Sequence, residues 1–145
     1  MIDIAAEREA IRTLIASIKY QKECEDDPTA FGNLWANDAT YVVESNGQLY
    51  GGETKSREDV VAFNVKNWAS GAHGKGDAKE THLAEPPHIV ELGGGRYRAI
   101  YNTVMFGLIG GKYAPVGTGL FQDDCVKEDG EWKVYARRAK LKRPG

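Results

Sequence analysis

The C-terminal part of the chain contains the feature that most constrains its fold, a charged turn between two runs of strand-forming residues. The pair Asp129-Gly130 separates residues 113–126 from residues 131–140. An Asp-Gly pair between alternating runs is a strong hairpin signal, because type I′ turns need positive φ at both central residues. The sequence therefore predicts an antiparallel hairpin. Together with a helical N-terminal half, this hairpin indicates an α+β domain whose curved sheet surrounds one pocket.

Size and composition favour a single globular domain over residues 1–145. The chain is 41% hydrophobic and 28% charged, and its net charge of -2 gives no electrostatic reason to expect a nucleic-acid partner. Neither a charged start followed by an apolar run nor an apolar run long enough to span a membrane is present. We therefore expect a cytoplasmic protein with no membrane partner. Cys24 and Cys125 lie far apart without a CxxC motif, which predicts two reduced thiols.

Three helices and a hairpin are predicted in the N-terminal half. Apolar residues recur at helical spacing over residues 4–20, which predicts an amphipathic first helix. The Asp-Pro pair at 27–28 suits a helix start, so a short second helix should run from there through Trp35. Strand-forming residues on either side of the Asn-Gly pair at 46–47 predict a hairpin. Ser56 should cap a third helix that ends before Gly71.

Four strands are predicted in the C-terminal half, over residues 82–92, 97–106, 113–126 and 131–140. The glycine-rich stretch 70–79 before them is the best candidate for a mobile loop over the pocket mouth. Alternation along residues 97–106 places one set of side chains on the pocket face: Tyr97, Ala99, Tyr101, Thr103 and Met105. The opposite face carries Ile100, Val104 and Phe106. This face is apolar enough to predict packing against a second copy of the chain.

Three segments resemble motifs of the SnoaL-like branch of the nuclear transport factor 2-like superfamily. Residues 34–41, LWANDATY, resemble "LFADDATW", and residues 82–89, HLAEPPHI, are similar to "HLLTNPVI". Residues 127–138 match "RxDGxWxIxxxR" in part. The resemblance covers nearly the whole chain. It implies a cone-shaped, strongly curved mixed or antiparallel sheet, closed by three N-terminal helices around one pocket, in a protein that forms dimers or trimers.

The same resemblance implies several classes of function, because this fold occurs in dehydratases, isomerases, epoxide hydrolases, polyketide cyclases and plain binding modules. Our leading hypothesis is a lyase or isomerase without cofactor or metal. Its substrate would be a small hydrophobic oxygenated metabolite such as a polyketide, terpenoid or steroid. The alternative is a non-catalytic module of the same fold that binds a small molecule or assembles with other subunits.

His82 is the candidate general base. It begins a predicted strand and matches the position of the histidine base in similar dehydratases and dehydrochlorinases. An imidazole with a pKa near 6.5 is suited to taking a proton from carbon and delivering it to a leaving hydroxyl. His73 and His88 are expected to face solvent or to play structural roles. The spacing of the three histidines does not indicate a zinc site.

The carboxylate that should orient His82 is ambiguous. Similar enzymes carry an aspartate three residues before the N-cap acid of the second helix, and here that position is Cys24. We expect Glu25 to take the role, and Tyr20 is a candidate to donate a hydrogen bond to a substrate oxygen. Asp26 and Glu23 are alternatives, the latter reaching in from the last helical turn. Cys24 is a weaker candidate for a nucleophile, since a free cysteine is more often a small buried hydrophobe.

The remaining predicted site residues form the wall of the pocket. Aromatic and apolar side chains there suit a hydrophobic ligand better than a sugar or nucleotide. Tyrosine hydroxyls could donate to a substrate oxygen, and an arginine of the last strand could reach inward. The predicted substrate-binding residues are Cys24, Trp35, Tyr41, Trp68, Tyr101, Met105 and Arg138.

Overall fold

A computed structural model describes residues 3–51, 54–75 and 79–144, and these form three α-helices and seven strands. The helices are α1 (Ile4–Tyr20), α2 (Pro28–Gly32) and α3 (Arg57–Ala69), and a π-helical segment (Gln21–Glu25) continues α1. The strands are β1 (Trp35–Ser45), β2 (Gln48–Tyr50), β3 (Glu80–Ala84), β4 (His88–Gly93), β5 (Arg96–Ile109), β6 (Lys112–Glu128) and β7 (Glu131–Lys142). None of the helices in these ranges is both long and apolar enough to cross a membrane.

The helix starts follow from capping side chains. The Asp3 carboxylate accepts from the N–H of Ala6 at the start of α1, and Asp27 accepts from two N–H groups at the start of α2. Ser56 accepts from the N–H of Asp59 at the start of α3. Each contact satisfies an N–H that has no partner inside its helix. The apolar stripe of α1 is buried as its spacing predicts, through Ile11, Leu14, Ile15 and Ile18.

The second helix is shorter than the sequence predicts, since it ends at Gly32 and Trp35 begins β1. The last strand explains the difference. Trp35 pairs in parallel with Val134, whose N–H donates to the carbonyl of Leu34 at 3.1 Å. Because pairing with β7 occupies the backbone at Leu34, the helix cannot continue through this position.

The strands form one mixed sheet in the order β2-β1-β7-β6-β5-β3, and β4 also pairs with β5. The β1–β7 pair is parallel, and all the other pairs are antiparallel. The β6–β7 hairpin is confirmed, with φ of 53° at Asp129 and 79° at Gly130. Pro86 and Pro87 divide the strand predicted over 82–92 into β3 and β4, since proline offers no N–H to a ladder.

The expected α+β fold with a mixed sheet and three helices is confirmed, but the described strands form an open sheet rather than a closed cone. Two helices precede the strands, whereas α3 lies between β2 and β3. Burial alternates along β5, and residues 97, 99, 101, 103 and 105 point to the core. They were predicted to face the pocket, but only Tyr101 and Thr103 of this set line one of the two cavities around His82.

A β-bulge in the last hairpin determines which side chains of β7 face inward. Cys125 pairs with Val134, whereas Asp124 pairs with Ala136, so Tyr135 is the extra residue on β7. An extra residue shifts the alternation by one position. Beyond the bulge Arg137 and Ala139 are therefore buried, while Arg138 is exposed on the opposite face.

Candidate active site

The π-helical segment at the end of α1 carries two charged residues into the interior. A π turn accommodates one more residue than an α turn, which changes the face that the following residues present. Lys22 is buried, and the side chain of Glu23 is only 8% exposed. Cys24, the next residue, is exposed.

Glu23 and His82 form a tightly bonded pair beneath β3. The Oε1 atom of Glu23 lies 2.6 Å from Nδ1 of His82 and also accepts the backbone N–H of His82 at 2.9 Å. Its Oε2 atom accepts from the hydroxyl of Thr81 at 3.3 Å and lies 3.4 Å from the Lys19 ammonium. The carboxylate is therefore held from both sides, and the His82 ring cannot rotate without losing its partner.

The protonation state of this pair follows from its surroundings. Burial raises the pKa of Glu23, but the hydrogen bond and charge interaction with His82, aided by Lys19 and Lys22, outweigh it and lower that pKa to about 2. Burial and the Lys22 charge lower the pKa of His82 against the opposing effect of Glu23. At neutral pH an ionised Glu23 thus faces a neutral His82. Since the carboxylate can only accept, the His82 proton is on Nδ1 and the lone pair is on Nε2.

A second imidazole lies against the first. The ring centroids of His73 and His82 are 4.9 Å apart at an interplanar angle of 44°. Burial, followed by the charges of Lys22 and His82, lowers the pKa of His73 to about 2, so this ring is also neutral. Its Nδ1 atom is buried and has no hydrogen-bond partner among the described residues.

Both histidines line a cavity of about 310 Å³ between the sheet and the C-terminal end of α3. Apolar side chains cover much of its wall, and charged or polar side chains line the rest. At the rim, Arg143 forms a bidentate pair with Glu80 at 2.6 and 3.1 Å. The lining residues are Lys22, Tyr41, Val43, Ser45, Tyr50, Phe63, Asn67, Ala72, His73, Glu80, His82, Phe121, Ala139, Leu141 and Arg143.

Lys22 lines this cavity and also a smaller one of about 40 Å³ on the other side of His82. Within the described ranges, its ammonium group has neither a hydrogen bond nor an ion-pair partner. The nearby acids are already paired, Glu23 with His82 and Glu80 with Arg143. The cavity therefore contains an ammonium group without a direct partner among these residues, which favours an anionic or electron-rich ligand atom.

The same cluster has the residue types of a metal site. Ligand atoms of Glu23, His73 and His82 lie within 4.8 Å of one another. Two details of the geometry oppose a cation here. The Nδ1 atom of His82 is already bonded to Glu23, and the Lys22 ammonium lines the same cavity. The arrangement suits proton transfer better than ion binding.

A second buried cluster supports the sheet behind the histidines. Arg137 binds Asp123 through two hydrogen bonds of 2.7 and 3.0 Å, and Tyr101 donates to Asp123 at 2.7 Å. Aromatic rings surround the guanidinium, with Trp35, Tyr41 and Phe121 centred 5.1–5.3 Å from it. The Tyr101 hydroxyl is thus already bonded, and burial raises its pKa well above the ordinary value.

A sequence profile for the SnoaL-like domain matches residues 3–138 of this chain. The chain belongs to the SnoaL-like family. No curated protein matches this SnoaL-like sequence. Solved structures similar to it nevertheless reproduce the fold along almost its whole length.

Three of these structures come from Novosphingobium species. An NTF2-like protein with a cystatin-like fold from N. aromaticivorans has a TM-score of 0.79 at 20% identity, over 95% of this chain and 83% of that one. The β subunit of a putative aromatic-ring-hydroxylating dioxygenase from the same species has a TM-score of 0.76 at 16% identity, over 99% of this chain and 94% of that one. Hexachlorocyclohexane dehydrochlorinase LinA type 3 from N. barchaimii has a TM-score of 0.72 at 16% identity, over 94% of this chain and 87% of that one. At sequence identities of 16–20%, the structural similarity establishes the fold.

The carboxylate partner of His82 is Glu23, one of the alternatives, and not Glu25. Glu25 accepts a hydrogen bond from the Tyr20 hydroxyl, and Tyr20 is 51% exposed. Cys24 is likewise exposed rather than part of the cavity wall. The cause is the π-helical segment, which an α-helical count cannot include. It brings Glu23 inward and leaves Tyr20, Cys24 and Glu25 toward the outside.

The predicted wall residues fall into three groups. Tyr41 lines the large cavity and Tyr101 the small one. Trp35 and Met105 are fully buried in the core, and neither lines these two cavities. Trp68 donates a hydrogen bond from Nε1 to the carbonyl of Lys22 at 2.7 Å. Arg138 does not reach the pocket. The bulge at Tyr135 turns Arg137 inward in its place.

Most of the residues that line the large cavity were not among the predicted site residues, and Lys22, His73 and the buried Arg137 are the ones that bear on its chemistry. Lys22 follows the buried stripe of α1 at i+4 from Ile18, so continuing the helical period would have found it. Arg137 required the bulge to be recognised. His73 lies nine positions before its neighbour in a glycine-rich segment, and no periodic signal identifies such a contact.

Proposed function

We propose that this SnoaL-like protein is a lyase or isomerase that works without a cofactor and removes a proton from carbon next to a carbonyl group. The hydrogen-bonded Glu23–His82 pair at the cavity wall is the observation that carries the proposal. A buried carboxylate that fixes the tautomer of a neutral histidine is the usual arrangement of a general base. The family supports this class of role, and the LinA dehydrochlorinases adopt the same fold.

In the proposed reaction, the Nε2 lone pair of His82 takes the proton and the C–H electron pair moves onto the substrate's carbonyl oxygen. The imidazolium that forms is stabilised by Glu23 at 2.6 Å. Lys22 stabilises the negative charge that develops on the oxygen. The electron pair then returns from the oxygen and the carbonyl re-forms. In a dehydration a C=C bond forms as the C–O bond to the leaving hydroxyl breaks, and His82 gives its proton to that hydroxyl, which departs as water. In an isomerisation His82 gives the proton to another carbon of the conjugated enolate, and the double bond moves.

The cavity supports a small hydrophobic substrate with a few oxygen atoms. Its volume of about 310 Å³ lies at the lower end for ligand sites and favours one or two rings, as in a small polyketide or terpenoid, over a steroid. The side chains of Val43, Phe63 and Leu141 would contact the apolar part. Lys22 and the histidines would face its oxygen atoms.

The test is proton–deuterium exchange in D₂O, followed by NMR over a panel of cyclic hydroxyketones and diketones. This readout needs no knowledge of the natural product. We expect the wild-type protein to accelerate exchange next to the carbonyl of at least one compound, and His82→Gln to abolish the acceleration. His88→Gln is the control, because His88 is exposed on β4. Equal exchange rates for wild type and His82→Gln would contradict the proposal.

A non-catalytic role is the second candidate, favoured by the similarity to a dioxygenase β subunit. The outer face of β5 and β6 exposes Val104, Leu108 and Leu120, and such a face fits a subunit interface. We propose that it joins two copies of this chain in a homodimer. Sedimentation equilibrium of wild type and Val104→Lys tests this, since only the variant should be monomeric.

The cytoplasmic location stays a prediction.

A further inference from the structure

His73 has no role in the reaction proposed above, although it lies in the cavity beside the base. Its ring lines the cavity wall, and its centroid lies 4.9 Å from that of His82. Its Nδ1 atom is enclosed and has no hydrogen-bond partner in residues 3–51, 54–75 and 79–144. A buried polar atom without a partner is costly, so a native protein that retains one calls for an explanation.

The backbone on both sides of His73 is held in place. Before it, the N–H of Ala72 donates to the carbonyl of Asn67, and the Ala72 carbonyl accepts from Glu80, both at 3.1 Å. After it, the N–H of Lys75 donates to Oδ1 of Asp26 at 2.8 Å. The described part of the segment 70–79, predicted as a mobile loop, is therefore anchored next to His73, and residues 76–78 lie outside the described ranges.

Gly74 allows the contact with Asp26 to be this close. Its φ is +117°, and a Cβ atom at this position would lie 2.5 Å from Oδ1 of Asp26. Asp26 itself has a left-handed φ of 54° directly after the π-helical segment. One irregular turn thus places Glu23 against His82 and, three residues later, fixes the segment that carries His73.

The neutral state of His73 defines what its ring can do. The Nδ1 atom is enclosed without a partner among the described residues, and an enclosed N–H without an acceptor is rarer in proteins than an enclosed lone pair without a donor, so Nε2 is the favoured site of the proton. In that tautomer the ring donates a hydrogen bond into the cavity without carrying a charge. A neutral imidazole donor can polarise a carbonyl oxygen, and the Lys22 ammonium lines the same cavity.

We propose that His73 is a second catalytic histidine, which donates from Nε2–H to the carbonyl oxygen of the substrate while His82 removes the neighbouring proton. The inference rests on the proposed function and deepens it, since it assigns the substrate to compounds that form an enolate. The developing enolate oxygen is held between His73 and Lys22. His73 touches the substrate and transfers no proton.

A binding experiment tests this role apart from turnover. The probe is 2-naphthol, a flat aromatic alcohol whose oxygen resembles that of an enol, titrated at neutral pH by its fluorescence. We expect His73→Phe, which keeps the ring but removes both nitrogens, to weaken binding about tenfold or more. His88→Phe is the matched control and should bind like the wild type. Long-range ¹H–¹⁵N spectra should show the His73 ring neutral and its Nε2 signal shifted by the probe.

The outcomes separate this inference from the proposed function. Loss of affinity in His73→Phe, with the ring signal shifted, supports the role of His73 even if no exchange substrate is found. Equal affinity of His73→Phe and wild type, or no measurable binding by the wild type, overturns it. So does stoichiometric Zn²⁺ binding that depends on His73, which would assign the cluster to a metal. Asp26→Ala and Gly74→Ala, which release the segment, should weaken binding in the same direction.

Discussion

One oxygen of Glu23 accepts two hydrogen bonds from His82, one from ring Nδ1 at 2.6 Å and one from the backbone N–H at 2.9 Å. The carboxylate thereby fixes the position of β3 and the tautomer of the ring together. Replacing Glu23 with Gln keeps a side-chain oxygen but removes the charge that stabilises an imidazolium. We expect the exchange rate to fall about 10²–10⁴-fold, the usual range for losing general base catalysis.

Glu25→Gln is the matched control for this prediction. Glu25 is bonded to the exposed Tyr20 hydroxyl, so its substitution should leave the rate near that of the wild type. NMR exchange rates of the three proteins decide the question. A slow Glu25→Gln with an active Glu23→Gln would mean that the pair is wrongly assigned.

Cys24 provides a second test, because it occupies the position at which similar enzymes carry an aspartate. We expect that placing a carboxylate there, as Cys24→Asp in a Glu23→Ala background, does not restore exchange. Cys24 is exposed, and a carboxylate on its backbone would point away from His82. Exchange by the double variant is compared with that of Glu23→Ala alone. Recovery toward the wild-type rate would show that the segment adopts a regular helix in solution.

The regular elements could be predicted from the sequence because each has a local signal. The stripe of α1, the Asp-Gly and Asn-Gly turns, the caps and the alternation along β5 all depend on neighbouring residues. His82 came from a family motif. These signals also gave the order of the helices and strands along the chain, apart from the early end of α2 and the division of the strand predicted over 82–92.

Two backbone irregularities explain the errors at the partner of His82 and on β7. The π-helical segment moved the partner of His82 from Glu25 to Glu23, and the bulge at Tyr135 exchanged Arg138 for Arg137. Both insert a residue into a periodic element, so every count beyond them is shifted. His73 was missed for a different reason, since its contact depends on the Asp26 carboxylate holding a distant loop.

The burial of His73 makes stability depend on pH. Its pKa is about 2 in the folded protein and 6.5 when unperturbed, so between these values the unfolded chain binds the extra proton. Stability is therefore highest above pH 6.5 and falls as the pH decreases. We expect the wild type to lose about 2 kcal/mol more than His73→Asn between pH 7 and pH 5.

Urea unfolding at the two pH values measures this difference. The charged groups that face His73 are Lys22 and Glu23 from the π-helical segment, His82 from β3 and Arg143 near the C-terminus. All four remain in His73→Asn, so their own titrations largely cancel in the comparison. An identical pH dependence of wild type and variant would show that His73 is accessible to protons in the folded protein.

The exchange rate should depend on pH through the protonation of His82. Since the base must be neutral, exchange is lost as the pH falls through the pKa of His82 and is constant above it. Burial and the Lys22 charge lower this pKa, so the midpoint of the acidic limb should lie below pH 6.5. Lys22→Met removes the positive charge and should move the acidic limb toward higher pH. If the acidic limb of the exchange rate lies at the same pH in the wild type and in Lys22→Met, the Lys22 charge does not affect the pKa of His82.

The buried Arg137–Asp123 pair allows a stability test independent of catalysis. Arg137 is 4% exposed and binds a fully buried Asp123, so Arg137→Met would leave an unpaired carboxylate in the core. Breaking one side of a buried pair costs about 3–5 kcal/mol. Arg138→Met, one residue further on the exposed face, should cost less than about 0.5 kcal/mol. The urea concentrations at the unfolding midpoint compare Arg137→Met with Arg138→Met, provided that both variants have the same m value. Equal midpoints would place both arginines on the surface.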